Sequence, residues 1–250
     1  SVPQLDPKQV DDVIVGNAVP EAEQGLQVGR IIAARAVGFH APGMTVNRYC
    51  ASGLETIAIA TSKIRMGMAE CIIAGGTESM SMVPTAGWKT VPAYSIAKDE
   101  PDYYLSMGLT AEAVAKEYNV NREDQDLFAY NSHMKAKAAI ENGYFKGGIL
   151  PINVEEVSLD AKGKKQTKNY VIDTDEGVRP GTTIETLAGM RPAFTKDGTI
   201  TAANASQISD GGAAIVVMSR AKADELGLNP IAELIGYGMV AGPDPSLLTQ

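Results

Sequence analysis

Cysteine and histidine are scarce in this chain, two of each among 250 residues. Two cysteines cannot build a disulfide framework; a reducing compartment follows, with the cytoplasm as the expected location. With so few soft ligands and no metal-ligand spacing among them, a zinc site is not expected, and no metal is assigned. Basic residues are also outnumbered, 22 Lys and Arg against 30 Asp and Glu, for a formal net charge of −8. Gripping nucleic acid requires a basic face, so no nucleic-acid partner is expected. A small anionic ligand needs only one or two well-placed cations and is not excluded. No apolar run reaches 18 residues; the best, residues 71–76 and 213–218, have the length of buried strands, so no membrane span is expected. No basic-then-apolar leader opens the chain, and the first residue is Ser rather than Met, which fits a processed or cut polypeptide.

Apolar content is ordinary at 44%, with 25 Gly and 13 Pro, so the chain folds rather than staying disordered. Over the first 80 residues strand and helix patterns alternate. Val13-Ile14-Val15 is a short apolar run ended by Gly16-Asn17. Residues 25–38 carry Leu26, Val28, Ile31, Ile32 and Val37 at helical spacing. Met44-Thr45-Val46 reads as strand, residues 51–68 as helix, and residues 71–74 as a strand closed by Gly75-Gly76. Strands alternating with helices of this length predict a largely parallel, buried sheet.

From about Val83 the pattern changes. Residues 85–104 mix Pro, Gly, Trp, Tyr and charge without a period and read as loop. Thr110 is a candidate cap for a helix over 111–117. Asn121 with Asp124 starts a long helix running to Gly143, with Leu127, Phe128, Asn131, Met134 and Ala138 along one face. Residues 152–157 and 169–172 read as strands paired across the solvated basic turn Lys162-Gly163-Lys164-Lys165. Residues 213–218 form a strictly apolar strand, expected to be buried on both faces and to join the early sheet, and 231–239 begins another strand. The polar middle is therefore an insertion into an α/β domain.

The stretch richest in chemistry is Val46-Asn47-Arg48-Tyr49-Cys50-Ala51-Ser52-Gly53-Leu54. It places a cysteine between the end of a strand and the start of a helix, where unpaired N–H groups and the positive end of the helix dipole favour a thiolate. The same N–H groups can stabilise an oxyanion on an attacked carbonyl. Ala51, Ser52 and Gly53 keep the first turn slim, so a substrate can approach the sulfur. The competing reading is a buried structural thiol. Cys71, opening an apolar strand, reads as core. His40, before a Pro-Gly turn, and His133, on the long helix, read as surface residues rather than bases. Gly75-Gly76 and Gly211-Gly212 lack the context of a nucleotide-phosphate loop.

Asn47-Arg48-Tyr49-Cys50-Ala51-Ser52-Gly53, followed by Ala74-Gly75-Gly76-Thr77-Glu78-Ser79-Met80-Ser81, resembles the nucleophile segment of the thiolases. Met107-Gly108-Leu109-Thr110-Ala111-Glu112, Arg191-Pro192-Ala193-Phe194 and residues 198–206, Gly-Thr-Ile-Thr-Ala-Ala-Asn-Ala-Ser, continue the resemblance in family order over essentially the whole chain. The resemblance implies a thiolase-like α/β fold, layered αβαβα around mixed, mainly parallel sheets, with the second half incomplete. It divides the chain into a first half (1–82 with 209–229), an insertion covering coenzyme A (83–208), and the start of a second half (230–250).

The chemistry so implied is acyl transfer. Cys50 attacks a 3-ketoacyl-CoA, acetyl-CoA leaves, and the acyl group passes from sulfur to a second coenzyme A, the co-substrate. By the same resemblance Ser206 meets the pantetheine arm and Arg179 lies by the nucleotide end. Thr186, Met190, Ala193, Phe194 and Ala202 line the groove, with Met107 nearer the acyl end. Ser106-Met107 stands where short-chain biosynthetic thiolases carry His-Met, which favours the degradative branch and fatty-acyl thiolysis. The family's catalytic histidine and second cysteine belong to segments that these 250 residues do not reach, so the chain alone is expected to be weakly active at best. A homodimer or dimer of dimers is implied. The alternatives are a ketoacyl-synthase-like condensing enzyme and a non-catalytic acyl-CoA-binding or scaffold subunit of the same fold.

Overall fold

The computed structural model describes residues 2–242 and 244–247. In chain order the elements open with β1 (Asp12–Gly16), α1 (Val28–Ala36), β2 (Gly43–Val46), α2 (Ser52–Arg65) and β3 (Cys71–Ser79). Next come α3 (Tyr94–Asp99), α4 (Met107–Glu117), α5 (Arg122–Glu141), β4 (Ile152–Leu159) and β5 (Lys165–Ile172). The last are α6 (Ile184–Ala188), β6 (Asp210–Met218) and α7 (Arg220–Glu225). The chain divides into two compact units, residues 1–93 with 208–240 and residues 94–207 with 241–250.

The first unit is built on a sheet of order β2-β1-β3-β6. β1 runs parallel to both β2 and β3, and β3 pairs antiparallel with β6, so the sheet is mixed and mainly parallel. Alternation along β1 explains the layering. Val13 and Val15 point to one face and pack with Ala33 of α1, while Ile14 points to the other and packs with Ala60 of α2. Cys71 joins the first cluster, and Ile72 and Ala74 the second. One helix on each face buries β1 completely, which is why its sequence is apolar without a break.

Several sequence expectations are corrected here. Leu26 and Gln27 take positive φ values of 51° and 61°, so the helix expected over 25–38 is confined to α1. Gly75-Gly76 does not close β3, which continues to Ser79. The glycine is needed because the neighbouring strand comes close: a Cβ on Gly75 would lie 2.4 Å from the Ala213 carbonyl oxygen. β6 joins this sheet but is not buried on both faces. It is an outer strand whose last residues alone reach the two clusters, and Ile215 is 49% exposed. Residues 231–239 form no strand, since no neighbouring strand lies along them among the described residues. They are held by side chains: Arg65 Nη2 donates to the Leu234 carbonyl at 2.7 Å and the Tyr237 hydroxyl donates to Glu55.

Residues 85–104, which run from the first unit into the second, are not all loop. They include α3 and a 3-10 helix over Pro101–Tyr104, each too short to show a period. Thr110 is not a cap. α4 already begins at Met107 after Ser106, and Thr110 lies buried within it with its hydroxyl unpartnered. The start of α5 is as expected, Asn121 Oδ1 accepting from the Asp124 N–H at 2.8 Å. The helix ends before Gly143, whose φ of +72° suits a glycine. Its Leu127 and Phe128 are exposed, and the buried residue on it is Asp126. β4 and β5 form an antiparallel hairpin from Ile152↔Ile172 to Leu159↔Lys165.

A candidate active site at a cysteine turn

β2 stops at Val46 and α2 starts at Ser52, leaving Cys50 exposed in the turn between them. The turn is tight. The Ala51 N–H donates to the Arg48 carbonyl at 3.0 Å, and the Ser52 N–H donates to the Tyr49 carbonyl at 3.0 Å. The Ser52 hydroxyl serves both strands of the turn, accepting from the Arg48 N–H at 2.8 Å and donating to the Tyr49 carbonyl at 2.6 Å. Gly16, at the end of β1, lets the helix start sit flush on the sheet, since a Cβ there would lie 2.8 Å from that of Ser52. On the other side, a Cβ on Gly53 would meet no atom within 4 Å, so the space beside the first turn is open. The sulfur is thus reachable and stands directly ahead of the N-terminus of α2.

Glu55 in the first turn of α2 is held by the Tyr237 hydroxyl and by Arg48 Nε at 2.8 Å, which in that order keep its carboxyl below the usual range. Cys71 is the opposite case. It is fully buried, and desolvation, with the Asp11 charge second, pushes its thiol up to about 11. Both histidines are engaged elsewhere: His40 Nε2 lies 3.2 Å from the Pro7 carbonyl, and His133 Nδ1 accepts the Arg179 N–H at 3.2 Å. Among the described residues, no group of His, Cys, Asp and Glu could hold a metal ion, and no helix is long and apolar enough to cross a membrane.

The residues expected to contact coenzyme A, from Met107 to Ser206, belong to the second unit. Five polar side chains of α4, α5 and the 198–206 segment fasten them. The Glu112 carboxylate accepts the Thr199 and Ile200 N–H groups at 2.9–3.0 Å. Arg122 is paired with Asp126 at 2.8 Å and donates to the Leu187 and Met190 carbonyls at 2.7 and 3.1 Å. Asn204 donates to Asp126 and accepts from the Thr201 N–H. Gln125 donates to Thr199. The Ala193 N–H donates to the Ile200 carbonyl, and the Phe194 ring lies against Gly108, next to Met107.

Met107, Met190, Ala193, Phe194 and Ala202 therefore sit on one framework, with their side chains partly or wholly exposed. Thr186 lies on α6, its N–H on the Thr183 hydroxyl at 3.2 Å, and Arg179 is tied to α5 through His133. Ser206 is exposed just beyond Ala205, whose N–H donates to Thr201. The fastening residues Glu112, Arg122, Asp126 and Asn204 were missed from the sequence. Arg122 and Asp126 carried the signal of opposite charges four residues apart on α5, with Asp126 3% exposed, and Glu112 and Asn204 lay within the segments that carry the resemblance.

A mixed α/β sheet delivering an exposed cysteine to a helix start is the thiolase arrangement, and the chain belongs to the thiolase family. The sequence pattern of the thiolase N-terminal domain matches residues 1–221. The chain is 49% identical over 240 residues to the 3-ketoacyl-CoA thiolase of Bacillus subtilis (strain 168), covering 96% of this chain and 61% of the relative. It is 42% identical over 259 residues to an acetyl-CoA acetyltransferase of Pseudomonas aeruginosa, covering 98% and 63%. The crystal structure of the Bacillus anthracis acetyl-CoA acetyltransferase superposes with a TM-score of 0.81 at 36% identity, over 98% of this chain and 62% of that one. The fold is thus the thiolase fold with its second half incomplete, and the chain spans less than two thirds of the length of these relatives.

Proposed function

We propose that this chain is the nucleophile-bearing part of a coenzyme-A-dependent acyltransferase that cleaves 3-ketoacyl-CoA by thiolysis. The observation that supports this most is Cys50 exposed in a tight turn directly ahead of α2. Its sulfur forms a bond to the 3-keto carbon, the bond between C2 and C3 breaks, and acetyl-CoA departs as an enolate that takes up a proton. The acyl group then moves from the Cys50 sulfur to the thiol of a second coenzyme A. Arg179 supplies positive charge for the nucleotide phosphates, Ser206 meets the pantetheine arm, and Thr186, Met190, Ala193, Phe194, Ala202 and Met107 line the groove. Half-exposed Met107, Met190 and Phe194 suit an apolar arm laid along them.

The degradative direction is supported by Ser106-Met107 and by the 3-ketoacyl-CoA thiolase at 49% identity. Acetyl transfer in the condensing sense is the second reading, supported by the two acetyl-CoA acetyltransferases. A homodimer or dimer of dimers in the cytoplasm is part of the proposal, the assembly supported by β2 standing as an outer strand. The test is acylation by acetyl-CoA read by intact mass. One acetyl group on Cys50, absent in Cys50→Ala, is expected; no label, or an equal label in the variant, overturns the proposal in favour of a non-catalytic acyl-CoA-binding subunit.

A further inference from the structure

Tyr49, directly before Cys50, has a φ of +43°. A bulky side chain disfavours this left-handed region, and such a residue persists there only where its surroundings impose it. Two side chains grip its peptide groups: Asn47 Oδ1 accepts the Tyr49 N–H at 2.9 Å, and the Ser52 hydroxyl donates to the Tyr49 carbonyl at 2.6 Å. Asn47 is itself fixed at its other end, Nδ2 donating to the Ala18 carbonyl at 2.9 Å. The Ala18 N–H in turn donates to Glu78 Oε2 at 2.8 Å. Glu78 Oε1 accepts from Gln24 Nε2 at 2.9 Å and Asn17 Nδ2 at 3.3 Å. A partly buried carboxylate with these neutral donors makes charge-assisted bonds, stronger than neutral ones. The path Glu78–Ala18–Asn47–Tyr49 lies within the first unit and runs from the end of β3 to the residue before the sulfur.

We propose that Glu78, Asn47 and Ser52 are positioning residues for the nucleophile: they hold Tyr49 left-handed and so present the Cys50 sulfur in one orientation ahead of α2. The inference rests on the reading of Cys50 as a nucleophile. It demands a specific relation between residues 47 and 49. Glycine enters the left-handed region without the penalty a side chain incurs, so a glycine at 49 should make the Asn47 grip dispensable, which a merely structural role for Asn47 would not.

The test compares two reagents on the chain. With p-nitrophenyl acetate the Cys50 sulfur bonds to the acetyl carbon, the carbon–oxygen bond breaks, and p-nitrophenolate leaves with the electron pair, so orientation matters. With iodoacetamide the same sulfur bonds to the methylene carbon and iodide leaves with the electron pair, so this reagent reports access and ionisation of the thiol without approach to a carbonyl. Buried Cys71 stays unlabelled while the fold is intact. Asn47→Ala is expected to slow acetylation about 5- to 30-fold and alkylation by less than about twofold. Adding Tyr49→Gly is expected to recover most of the lost acetylation.

Unchanged acetylation, an equal fall with both reagents, or no recovery with glycine overturns the proposal, as does failure of p-nitrophenyl acetate to acetylate Cys50 in the unaltered chain. Should Asn47→Ala expose Cys71, the comparison moves to Glu78→Gln, which keeps the volume but turns an amide N–H toward a donor; the same split between reagents is expected. Equal rates there, or exposure of Cys71 there too, overturns it, since the network would then support the fold rather than the turn. Failure of acetyl-CoA to acylate the unaltered chain bears on the acyltransferase reading alone, and the p-nitrophenyl acetate comparison still decides the positioning role.

Discussion

Cys50 and Cys71 carry the same thiol into opposite surroundings. Cys71 lies at 0% exposure among Val10, Val13, Val15 and Ala33, and burial ahead of the Asp11 charge raises its thiol to about 11 from an ordinary 9.0. A thiol raised on folding favours the protonated native state. Its stabilisation is complete below pH 9, where the unfolded thiol is also protonated, and is lost as pH rises from 9 toward 11. The loss amounts to at most about 3 kcal/mol. Urea unfolding at pH 8 and pH 10.5 checks this: Cys71→Ala is expected to lose less stability over that interval than the unaltered chain, and equal losses would refute it. The places of both cysteines were legible because strand-then-helix spacing puts one at a helix mouth, exposed, and the other in an apolar run, buried. The left-handed Tyr49 was not legible, because an aromatic residue gives no sign of positive φ; its controls, Asn47 and Ser52, carry the signal instead.

Elements were legible where a local rule alone decides them. Asn121 caps α5 through its own side chain, and β1 is buried on both faces because α1 and α2 cover it. Where a neighbour decides, the pattern misled. Gly75-Gly76 looks like a stop and is a close approach by β6. Thr110 looks like a cap and is a buried position within α4. Residues 231–239 have strand composition but no strand beside them among the described residues. Glu112 lies on α4 yet acts on another segment, its carboxylate holding the N–H groups of Thr199 and Ile200. Glu112→Ala leaves both donors without this acceptor, at a cost of about 1–3 kcal/mol for each that stays buried. Amide hydrogen exchange at Thr199 and Ile200 is expected to accelerate while exchange in β1 is unchanged. Protection that survives in the variant would show that the framework around Ala193 and Ala202 does not depend on this carboxylate.

At the scale of the whole molecule, large exposed apolar side chains occur in both units, and one group of them lies on and just after α2. That helix buries Ala60 toward the sheet, yet Leu54 within it and Met66 and Met68 just after it are 70–77% exposed. Ala58, Ile59, Met66 and Met68 also line a groove with Tyr237. A helix apolar on more than its sheet-facing side normally has a second covering layer, and the relatives this chain matches are longer than it is. The 250-residue chain expressed by itself is therefore expected to bind an apolar dye such as anilinonaphthalene sulfonate in its native state. Leu54→Glu with Met66→Lys should reduce that fluorescence. Because both positions are solvated, each substitution should change unfolding stability by no more than about 0.5 kcal/mol. Dye binding that is absent from the native chain, or unaffected by the pair, would mean that this face is covered in the chain as it stands.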